Sequence, residues 1–206
     1  MNKDNLIIYV SSRNNYDMLE GEVLNNINTE GFEFINVDDQ SCDAEIEKGK
    51  TICKNHNIVF LENKSRGVQM ATQTLVDFIN ENRPNCKWII CFQHDHYPLT
   101  KDFFCSISNR IQENLLDNFG LIGFNVLDKG NYTGDSYNRF TQGESPLGMI
   151  GMCHLSIHDR TSRWLCPRQQ GQLLKQDIWK TPFIVEFPMW ASVGINIDKW
   201  NKVIKP

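Results

Sequence analysis

Hydrophobic residues in the first 125 positions follow two alternating patterns. Short apolar runs, which favour buried strands, are each followed by a stretch with apolar residues every three or four positions, which favours an amphipathic helix. The predicted strands cover residues 6–10, 34–37, 58–61, 88–92 and 120–124, and the predicted helices cover residues 16–27, 44–55, 68–79 and 100–115, the last with Thr100 as N-cap. Strands that alternate with helices form parallel sheets through right-handed crossovers. The pattern therefore predicts an α/β fold with a parallel central sheet flanked by helices.

The chain changes character after Val126. Residues 128–148 are rich in Gly, Asn and Ser and are too long for an ordinary connection, which predicts a mobile loop over a site. The alternative is a disordered surface insertion. Residues 149–157 and 183–186 have the apolar character of further extended segments.

Two carboxylates stand directly after the second predicted strand. Asp38 and Asp39 open this segment, and Ser41 follows them before a predicted helix. In an open parallel sheet, ligands bind outside the carboxyl ends of the strands, where short carboxylates accept hydrogen bonds from base N–H or ribose hydroxyl groups. The alternative is helix capping by Ser41 or Asp43, since these residue types dominate N-caps. The segment thus predicts either a nucleotide contact or a helix cap.

A second polar strand end follows residues 88–92. Asp95 supplies a hard oxygen ligand, and the flanking His94 and His96 add imidazole nitrogens. This set suits Mg²⁺ or Mn²⁺ bound together with a nucleotide diphosphate better than a closed zinc site. In extended backbone the two histidines share one face and Asp95 takes the other, so at most two of the three are expected to address one ion. The alternative for each histidine is a hydrogen-bonded loop residue.

Taken in order, these segments resemble the nucleotide-sugar-binding half of a GT-A glycosyltransferase, most closely the inverting family 2. Residues 6–14 resemble the family's first strand and its polar exit, and residues 37–43 resemble its Asp-Asp-Gly-Ser-x-Asp segment. Residues 62–73 resemble its Asn-x-Gly loop and the following helix, and residues 92–98 lie where the family carries an Asp-x-Asp metal motif. One departure is Gln93, which occupies the position of the first motif Asp and offers less charge to an ion.

The resemblance implies a Rossmann-like GT-A fold with a mixed, mostly parallel central sheet flanked by helices. It also implies transfer of a sugar from a nucleotide-diphosphate donor, expected to be a UDP-sugar, to a hydroxyl of a glycan acceptor. Inversion at the anomeric carbon and assistance by Mn²⁺ or Mg²⁺ are inherited from the family. Residues 1–125 would form the nucleotide-sugar-binding half, and residues 126–206 the acceptor-side half of the same domain. The expected nucleotide-binding residues are Ser11, Arg13, Asp38, Asp39, Ser41, Arg66, Gln93 and His94, and the expected metal ligands are Asp95 and His96.

An inverting transferase also needs a base within hydrogen-bond reach of the acceptor hydroxyl. Glu186, which ends an apolar run, and Asp159 are the leading candidates, while Asp177 and His158 stay open as alternatives. Trp190 is the candidate for stacking on the apolar face of an acceptor sugar, with core packing as its alternative. The chain ends at residue 206 without an evident closing element. This suggests a domain cut from a longer protein, whose further residues would then supply the base.

Composition excludes several other classes. The 21 Lys and Arg residues against 25 Asp and Glu give a net charge of −4, so the chain lacks a basic footprint for nucleic acid. No apolar run approaches the ~20 residues that span a membrane, and residues 1–4 do not open a signal peptide, which predicts a cytoplasmic protein. The seven cysteines are odd in number and contain no Cys-x-x-Cys motif. They are expected to be reduced, mostly structural thiols.

Two alternative functions stay open. A nucleotidyltransferase shares the α/β layout but would carry a Gly-rich basic loop after its first strand, and residues 11–15 contain no glycine. A non-catalytic nucleotide- or glycan-binding module is favoured by Gln93 and by the unassigned base. A dinucleotide-dependent dehydrogenase is disfavoured because no Gly-x-Gly-x-x-Gly follows any predicted strand.

Overall fold

A computed structural model describes residues 3–94, 98, 102–123 and 192–203 of the chain. The strands are β1 (Leu6–Ser12), β2 (Glu33–Asp38), β3 (Val59–Glu62), β4 (Trp88–Gln93), β5 (Leu121–Gly123) and β6 (Ser192–Asn196). The helices are α1 (Tyr16–Met18), which continues as a π-helical segment over Leu19–Leu24, α2 (Asp43–Asn55), α3 (Val68–Asn82), α4 (Phe103–Gln112) and α5 (Ile197–Val203). A short 3₁₀ turn, Lys3–Asn5, precedes β1.

The six strands form one sheet in the order β3-β2-β1-β4-β6-β5. The neighbouring strands β3, β2, β1 and β4 run parallel, whereas β6 runs antiparallel to β4. The register places Asp38 between Ser12 and Glu62, and Ser11 beside Gln93. The carboxyl ends of the four parallel strands therefore meet at one edge of the sheet, here called the carboxyl edge, and their first residues lie at the opposite, amino edge. The predicted mostly parallel α/β sheet with flanking helices is confirmed.

The core of the described unit is built around β1. Its first five residues, Leu6 to Val10, are each at most 2% exposed. A strand buried on both faces has a continuous apolar run rather than an alternating pattern, which is why this strand was recognisable in the sequence. Helix α3 contributes one buried stripe at helical spacing, including Ala71, Leu75 and Ile79, and contacts both β1 and β2.

Two helices differ from their predicted form. The helix predicted over residues 16–27 is α-helical only through Met18 and then widens into the π-helical segment. Helix α4 begins at Phe103, and its N-cap residue is Asp102 rather than Thr100. The first donors of α4 are satisfied from a distant loop, because the Glu30 carboxylate accepts hydrogen bonds from the backbone N–H groups of Phe104 (3.0 Å) and Cys105 (2.9 Å).

A strand near the end of the chain joins this sheet. Strand β6 pairs with β4 along its whole length, and α5 follows it directly. On α5, the Trp200 indole N–H donates to Gln73 Oε1 of α3 at 3.0 Å, and Asn201 exchanges side-chain hydrogen bonds with Asn80. The compact unit consists of Met1–Ile122 and Ala191–Pro206. Hydrophobic periodicity did not predict this pairing, because the partner strands are separated in sequence by residues 94–191.

The described cysteines are free thiols, and three of them are buried in the core. Burial raises the pKa of Cys53, Cys86 and Cys91 to about 12. These thiols therefore stay protonated near neutral pH, as expected of structural cysteines.

The remaining predicted elements, namely the loop over residues 128–148 and the extended segments 149–157 and 183–186, lie outside the described residues. Within the described ranges, none of the helices combines the length and the apolar character that a membrane span requires.

Candidate functional site

The loops after β1, β2 and β3 are joined by hydrogen bonds at the carboxyl edge. Asn14, after β1, donates its backbone N–H to the Ser41 hydroxyl at 2.9 Å and accepts the Cys42 N–H on Oδ1 at 2.8 Å. The Gln40 side chain donates to the Lys64 carbonyl, after β3, at 3.0 Å. The three loops thus form one connected surface.

Asp38 lies at the centre of these loops, and only 1% of the residue is exposed. Its Oδ2 accepts hydrogen bonds from the Tyr16 hydroxyl at 2.7 Å and from the Ser41 hydroxyl at 2.5 Å. Its Oδ1 accepts the Ser41 backbone N–H at 2.9 Å. Burial of an ionised carboxylate is costly unless several donors surround it, and Asp38 has three. Its carboxylate is therefore engaged in holding the loop after β2.

The hydrogen bonds continue beneath Asp38 into the sheet. The Tyr16 hydroxyl accepts from Asn36 Nδ2 at 3.3 Å, and Asn36 Oδ1 accepts the Ser12 hydroxyl at 2.6 Å. These three residues and Asp38 are each at most 1% exposed. Burial, followed by the hydrogen bond to Asp38 and its negative charge, raises the pKa of Tyr16 well above its ordinary value. The phenol stays protonated and remains a donor to Asp38.

Helix capping, the alternative interpretation of this segment, is wrong for both candidates. The N-cap residue of α2 is Cys42, which makes no side-chain capping hydrogen bond, and Asp43 is the first residue of the helix. The Ser41 hydroxyl bonds Asp38 instead. Ser41 is therefore a loop-fixing residue in the described structure.

Asp39 is placed differently from its neighbour, because it is half-buried. Its Oδ1 accepts hydrogen bonds from Asn63 Nδ2 at 2.9 Å and from the Gly67 N–H at 2.7 Å. Gly67 is the N-cap residue of α3, with φ of +128°, a conformation that favours glycine. The carboxylate thus lies at the positive end of the α3 dipole. Its second oxygen, Oδ2, accepts no hydrogen bond from the described residues.

Asn63 fixes the loop after β3 against Asp39. The residue is 7% exposed, its backbone N–H donates to the Asp38 carbonyl at 2.9 Å, and its Oδ1 accepts the Thr74 hydroxyl of α3 at 2.9 Å. One amide side chain therefore connects the loops after β2 and β3 to the body of α3. This gives Asp39 a rigid support.

Gln40 occupies the position at which the resembled family has glycine in its Asp-Asp-Gly-Ser segment. Its φ is +59°, in the left-handed region that a side chain disfavours. The hydrogen bond to the Lys64 carbonyl compensates for part of this strain by tying the side chain to the neighbouring loop. The chain thus keeps the backbone shape of a glycine turn without the glycine.

The other predicted nucleotide-binding residues lie at or next to strand ends. Ser11 is half-buried in β1, and Arg13 is half-buried just after it, with Nε buried and lacking a hydrogen-bond partner in the described part of the chain. Arg66 is exposed in the loop before α3. Gln93 is the last residue of β4, and the half-buried His94 follows it.

Five predicted site residues lie outside the described residues: the metal ligands Asp95 and His96, the base candidates Asp159 and Glu186, and the acceptor candidate Trp190. Among the residues that are described, no group of three or more His, Cys, Asp or Glu side chains is arranged to hold a metal ion. The metal site therefore stays a prediction that depends on Asp95 and His96.

Sequence reasoning missed the supporting role of Tyr16 and Asn36. Tyr16 looked like an ordinary apolar position of an amphipathic helix, and its hydroxyl carried no signal of its own. Asn36 did carry one, because it interrupts the apolar residues of β2. A polar side chain inside a buried strand needs a partner and indicates a buried hydrogen-bond network.

Comparison with known proteins gave structural matches only, since no protein-family model and no curated protein matches the chain. The chain is similar to the mannosyltransferase PcManGT from Pyrobaculum calidifontis, solved in complex with GDP-Man and Mn²⁺, at 15% identity and a TM-score of 0.44, over 66% of this chain and 38% of that one. It is also similar to S. aureus TarS, at 13% identity and a TM-score of 0.43, over 64% of this chain and 23% of that one. TarS 1-349 in complex with UDP-GlcNAc matches at 16% identity and a TM-score of 0.42, over 63% of this chain and 37% of that one. The chain spans at most 38% of the length of these matched proteins.

Proposed function

We propose that the chain binds a nucleotide-diphosphate sugar at the carboxyl edge and transfers the sugar to a hydroxyl of a glycan acceptor. The proposal of nucleotide binding rests on the hydrogen bonding of the Asp39 carboxylate. One oxygen of this half-buried carboxylate is held by Asn63 and Gly67, and the other accepts no hydrogen bond from the described residues. The transfer step rests on the order of segments that resembles family 2 glycosyltransferases.

The contrast between the two neighbouring carboxylates supports Asp39 as the ligand contact. Asp38 is buried and has three donors within the chain, whereas Asp39 keeps an acceptor oxygen at the end of a parallel strand. Such an oxygen can accept a hydrogen bond from a base N–H or a ribose hydroxyl. We assign nucleotide contact to Asp39, and to Asp38 and Ser41 the support of the loop that presents it.

The cations at the same edge suit a diphosphate. Arg13 follows β1 and Arg66 precedes α3, so each lies on a loop next to the one that carries Asp39. Arg13 is half-buried and Arg66 is exposed, and guanidinium groups form charge-assisted hydrogen bonds with phosphate oxygens. Ser11, Gln93 and His94 complete the proposed nucleotide-binding set, and UDP is the proposed nucleotide.

We assign Asp95 and His96 as the protein ligands of a divalent ion, Mn²⁺ or Mg²⁺. Such an ion would act as a Lewis acid on the leaving diphosphate. With Gln93 in place of a first acidic ligand, the protein offers the ion a single carboxylate in this segment. We therefore expect metal to bind more tightly in the presence of the nucleotide than in its absence, because the diphosphate supplies further oxygens.

For the transfer step, we assign the general base to Glu186 or Asp159 and acceptor stacking to Trp190. The base would take the proton of the acceptor hydroxyl as it attacks the anomeric carbon and the nucleotide diphosphate leaves. Attack from the face opposite the leaving group gives inversion. Replacing either carboxylate with its amide should lower turnover and leave nucleotide affinity unchanged, since neither is assigned to the nucleotide.

Calorimetry with UDP and UDP-sugars tests the nucleotide site. The variant Asp39→Asn keeps an oxygen for Asn63 and Gly67 but replaces the remaining acceptor with a donor, so we expect UDP affinity to fall about tenfold or more. Asp77→Asn is the matched control, because it changes an exposed aspartate farther along α3. Equal affinity of Asp39→Asn and wild type would remove the central assignment.

Released UDP, measured with a panel of hydroxyl acceptors and with or without Mn²⁺, tests the transfer. Nucleotide binding without turnover would favour the alternative of a non-catalytic binding module, which the neutral Gln93 also favours. Absence of binding to any nucleotide sugar would overturn the proposal. A longer form of the protein that turns over where residues 1–206 do not would place the base outside this chain.

A further inference from the structure

We propose that Tyr16 is a positioning residue for the nucleotide site, acting through Asp38 on the loop that presents Asp39. This inference rests on the proposed function and deepens it, because it names the part of the fold on which nucleotide affinity depends. Tyr16 itself is buried and is assigned no contact with the ligand. Its effect would be transmitted through hydrogen bonds already present in the structure.

The hydroxyl of Tyr16 joins two elements at one point. It donates to Asp38 Oδ2 at 2.7 Å, accepts from Asn36 Nδ2 at 3.3 Å, and is carried by the first residue of α1. Ser41 bonds the same carboxylate through both its hydroxyl and its backbone N–H. The Tyr16 hydroxyl and the Asp38 carboxylate together therefore fix the start of α1, the interior of β2 and the loop after β2 to one another.

Helix α2 is shaped to accept the Tyr16 ring. Gly49 is buried in the middle of α2, and a Cβ atom at this position would lie 2.4 Å from Cζ of Tyr16, the ring carbon that bears the hydroxyl. Glycine is disfavoured in a helix interior, so its presence here requires a local reason. The close approach of the ring supplies that reason. The α2 backbone thereby limits the position of the hydroxyl.

A displacement of Asp38 would also displace Asp39, the residue assigned to the ligand. Asp39 follows it directly, and the Asp39 backbone N–H is bonded to the Ser12 carbonyl at 2.8 Å. On the other side, Ser41 and Cys42 are tied to Asn14 after β1. Loss of the Tyr16 hydrogen bond would leave Asp38 without one of its three donors and free the loop to rearrange. The acceptor oxygen of Asp39 would then be less well placed for the nucleotide.

The first test compares Tyr16→Phe with Ser108→Ala in UDP titrations by calorimetry. Ser108 is a suitable control, because it is as fully buried as Tyr16 and its hydroxyl donates to Asn5 Oδ1 at 2.9 Å, next to the amino edge. We expect Tyr16→Phe to weaken UDP binding about tenfold, as for loss of a hydrogen bond to a charged group, and Ser108→Ala to leave it unchanged. Circular dichroism and urea titration establish that each variant is folded at the assay temperature.

A second pair of variants tests the packing against α2. Gly49→Ala places a methyl group against the Tyr16 ring, whereas Gly21→Ala adds one where nothing beyond its chain neighbours and its own helix backbone lies within 4 Å. We expect Gly49→Ala to weaken UDP binding and Gly21→Ala to leave it unchanged.

A double-mutant cycle tests the coupling through Asp38. Tyr16→Phe and Ser41→Ala should be non-additive in UDP affinity, because both act on Asp38 Oδ2. A purely structural tyrosine would lower stability without this coupling in affinity.

Hydrogen exchange separates failure of this inference from failure of the proposed function. In the absence of nucleotide, the Ser41 and Cys42 amides should exchange faster in Tyr16→Phe than in wild type or Ser108→Ala. If wild type binds UDP and Tyr16→Phe binds it equally well, the positioning role is overturned and the proposed function stands. If wild type binds no nucleotide, the proposed function is overturned, and unchanged exchange in Tyr16→Phe would also remove the role of Tyr16 in holding the loop.

Discussion

The two edges of the parallel sheet hold their polar groups in different ways. At the carboxyl edge, Asp38, Asn36 and Ser12 are at most 1% exposed and are bonded to one another through Tyr16 or directly. At the amino edge, the Arg83 guanidinium pairs with the Glu33 carboxylate through two hydrogen bonds of 2.7 Å, with side chains 39% and 29% exposed. The first arrangement is a buried network, and the second is a pair at the surface.

The loops at the amino edge also form hydrogen bonds to neighbouring segments. Lys3 donates to the Glu30 carbonyl, and the Glu30 carboxylate accepts the first N–H groups of α4. A cavity of about 720 Å³ opens at this edge, and the Glu33 and Arg83 pair forms part of its wall. Despite this volume, we do not assign nucleotide binding to the cavity, because the charges of Glu33 and Arg83 already neutralise each other. The half-buried Asp39, with an oxygen that accepts nothing from the described residues, lies at the other edge.

This difference separates structural polar groups from groups available to a ligand. Hydrogen bonds offset the desolvation cost of a buried polar network only when every member has its partners. At the carboxyl edge Asp38 has three donors, whereas one oxygen of Asp39 accepts no hydrogen bond from the described residues. Positive φ at residues other than glycine does not distinguish the two edges, because it occurs at Asn14 and Gln40 on one side and at Glu30 and Asn57 on the other. We conclude that the carboxyl edge is held in a specific shape, and that the amino edge closes the fold.

The largest expected effect is on Asp38. The variant Asp38→Ala removes the acceptor of three hydrogen bonds and leaves the buried hydroxyl of Tyr16 without its anionic partner, so we expect the free energy of unfolding to fall by about 3 kcal/mol. Urea titration followed by fluorescence measures this loss. A loss below that of a surface pair would contradict the interpretation of the carboxyl edge as a fully engaged buried network.

A smaller effect is expected at Gln40, and its sign is informative. At a φ of +59°, glycine avoids the steric cost that alanine retains, so Gln40→Gly should be more stable than Gln40→Ala by about 0.5–1 kcal/mol. Both variants lose the hydrogen bond to Lys64, which therefore cancels in the comparison. Gln69, exposed in the first turn of α3, is the matched control, because there alanine should be the more stable of the two. The same order at both positions would show that the turn at Gln40 is not strained.

Sequence alone predicted most of the elements and the edge at which the polar residues gather. The apolar runs of β1, β2 and β4 were recognisable because these strands are largely buried, and the half-buried edge strand β3 has an apolar run as well. The position of Asp38 and Asp39 after β2 followed directly from these runs. The different roles of these two adjacent carboxylates were not predictable. They depend on Tyr16, 22 residues before Asp38, and on Gly67, 28 residues after Asp39.

The same limit applies to the pairing of β6 and to the cap of α4. Both join residues that are far apart in sequence, and neither leaves a periodic pattern to detect. Strand β6 enters the sheet beside β4, and Glu30 caps a helix that begins at Phe103. Local propensity favoured Thr100 as the cap because it contains no information about a distant carboxylate.

The smallest expected effect sharpens the comparison from the amino edge. The variant Glu33→Gln removes the charge of the Arg83 pair but retains an acceptor oxygen, so we expect a loss of about 1 kcal/mol or less in the free energy of unfolding. Because the pair is partly exposed, the loss should shrink when NaCl is raised from about 0.05 M to about 0.5 M, which shortens the Debye length several-fold. Glu47→Gln, in a pair with Lys50 at the surface of α2, is the control and should change stability by only a few tenths of a kcal/mol. A salt-independent loss at Glu33 as large as that of Asp38→Ala would mean that the two edges are held by the same kind of buried interaction.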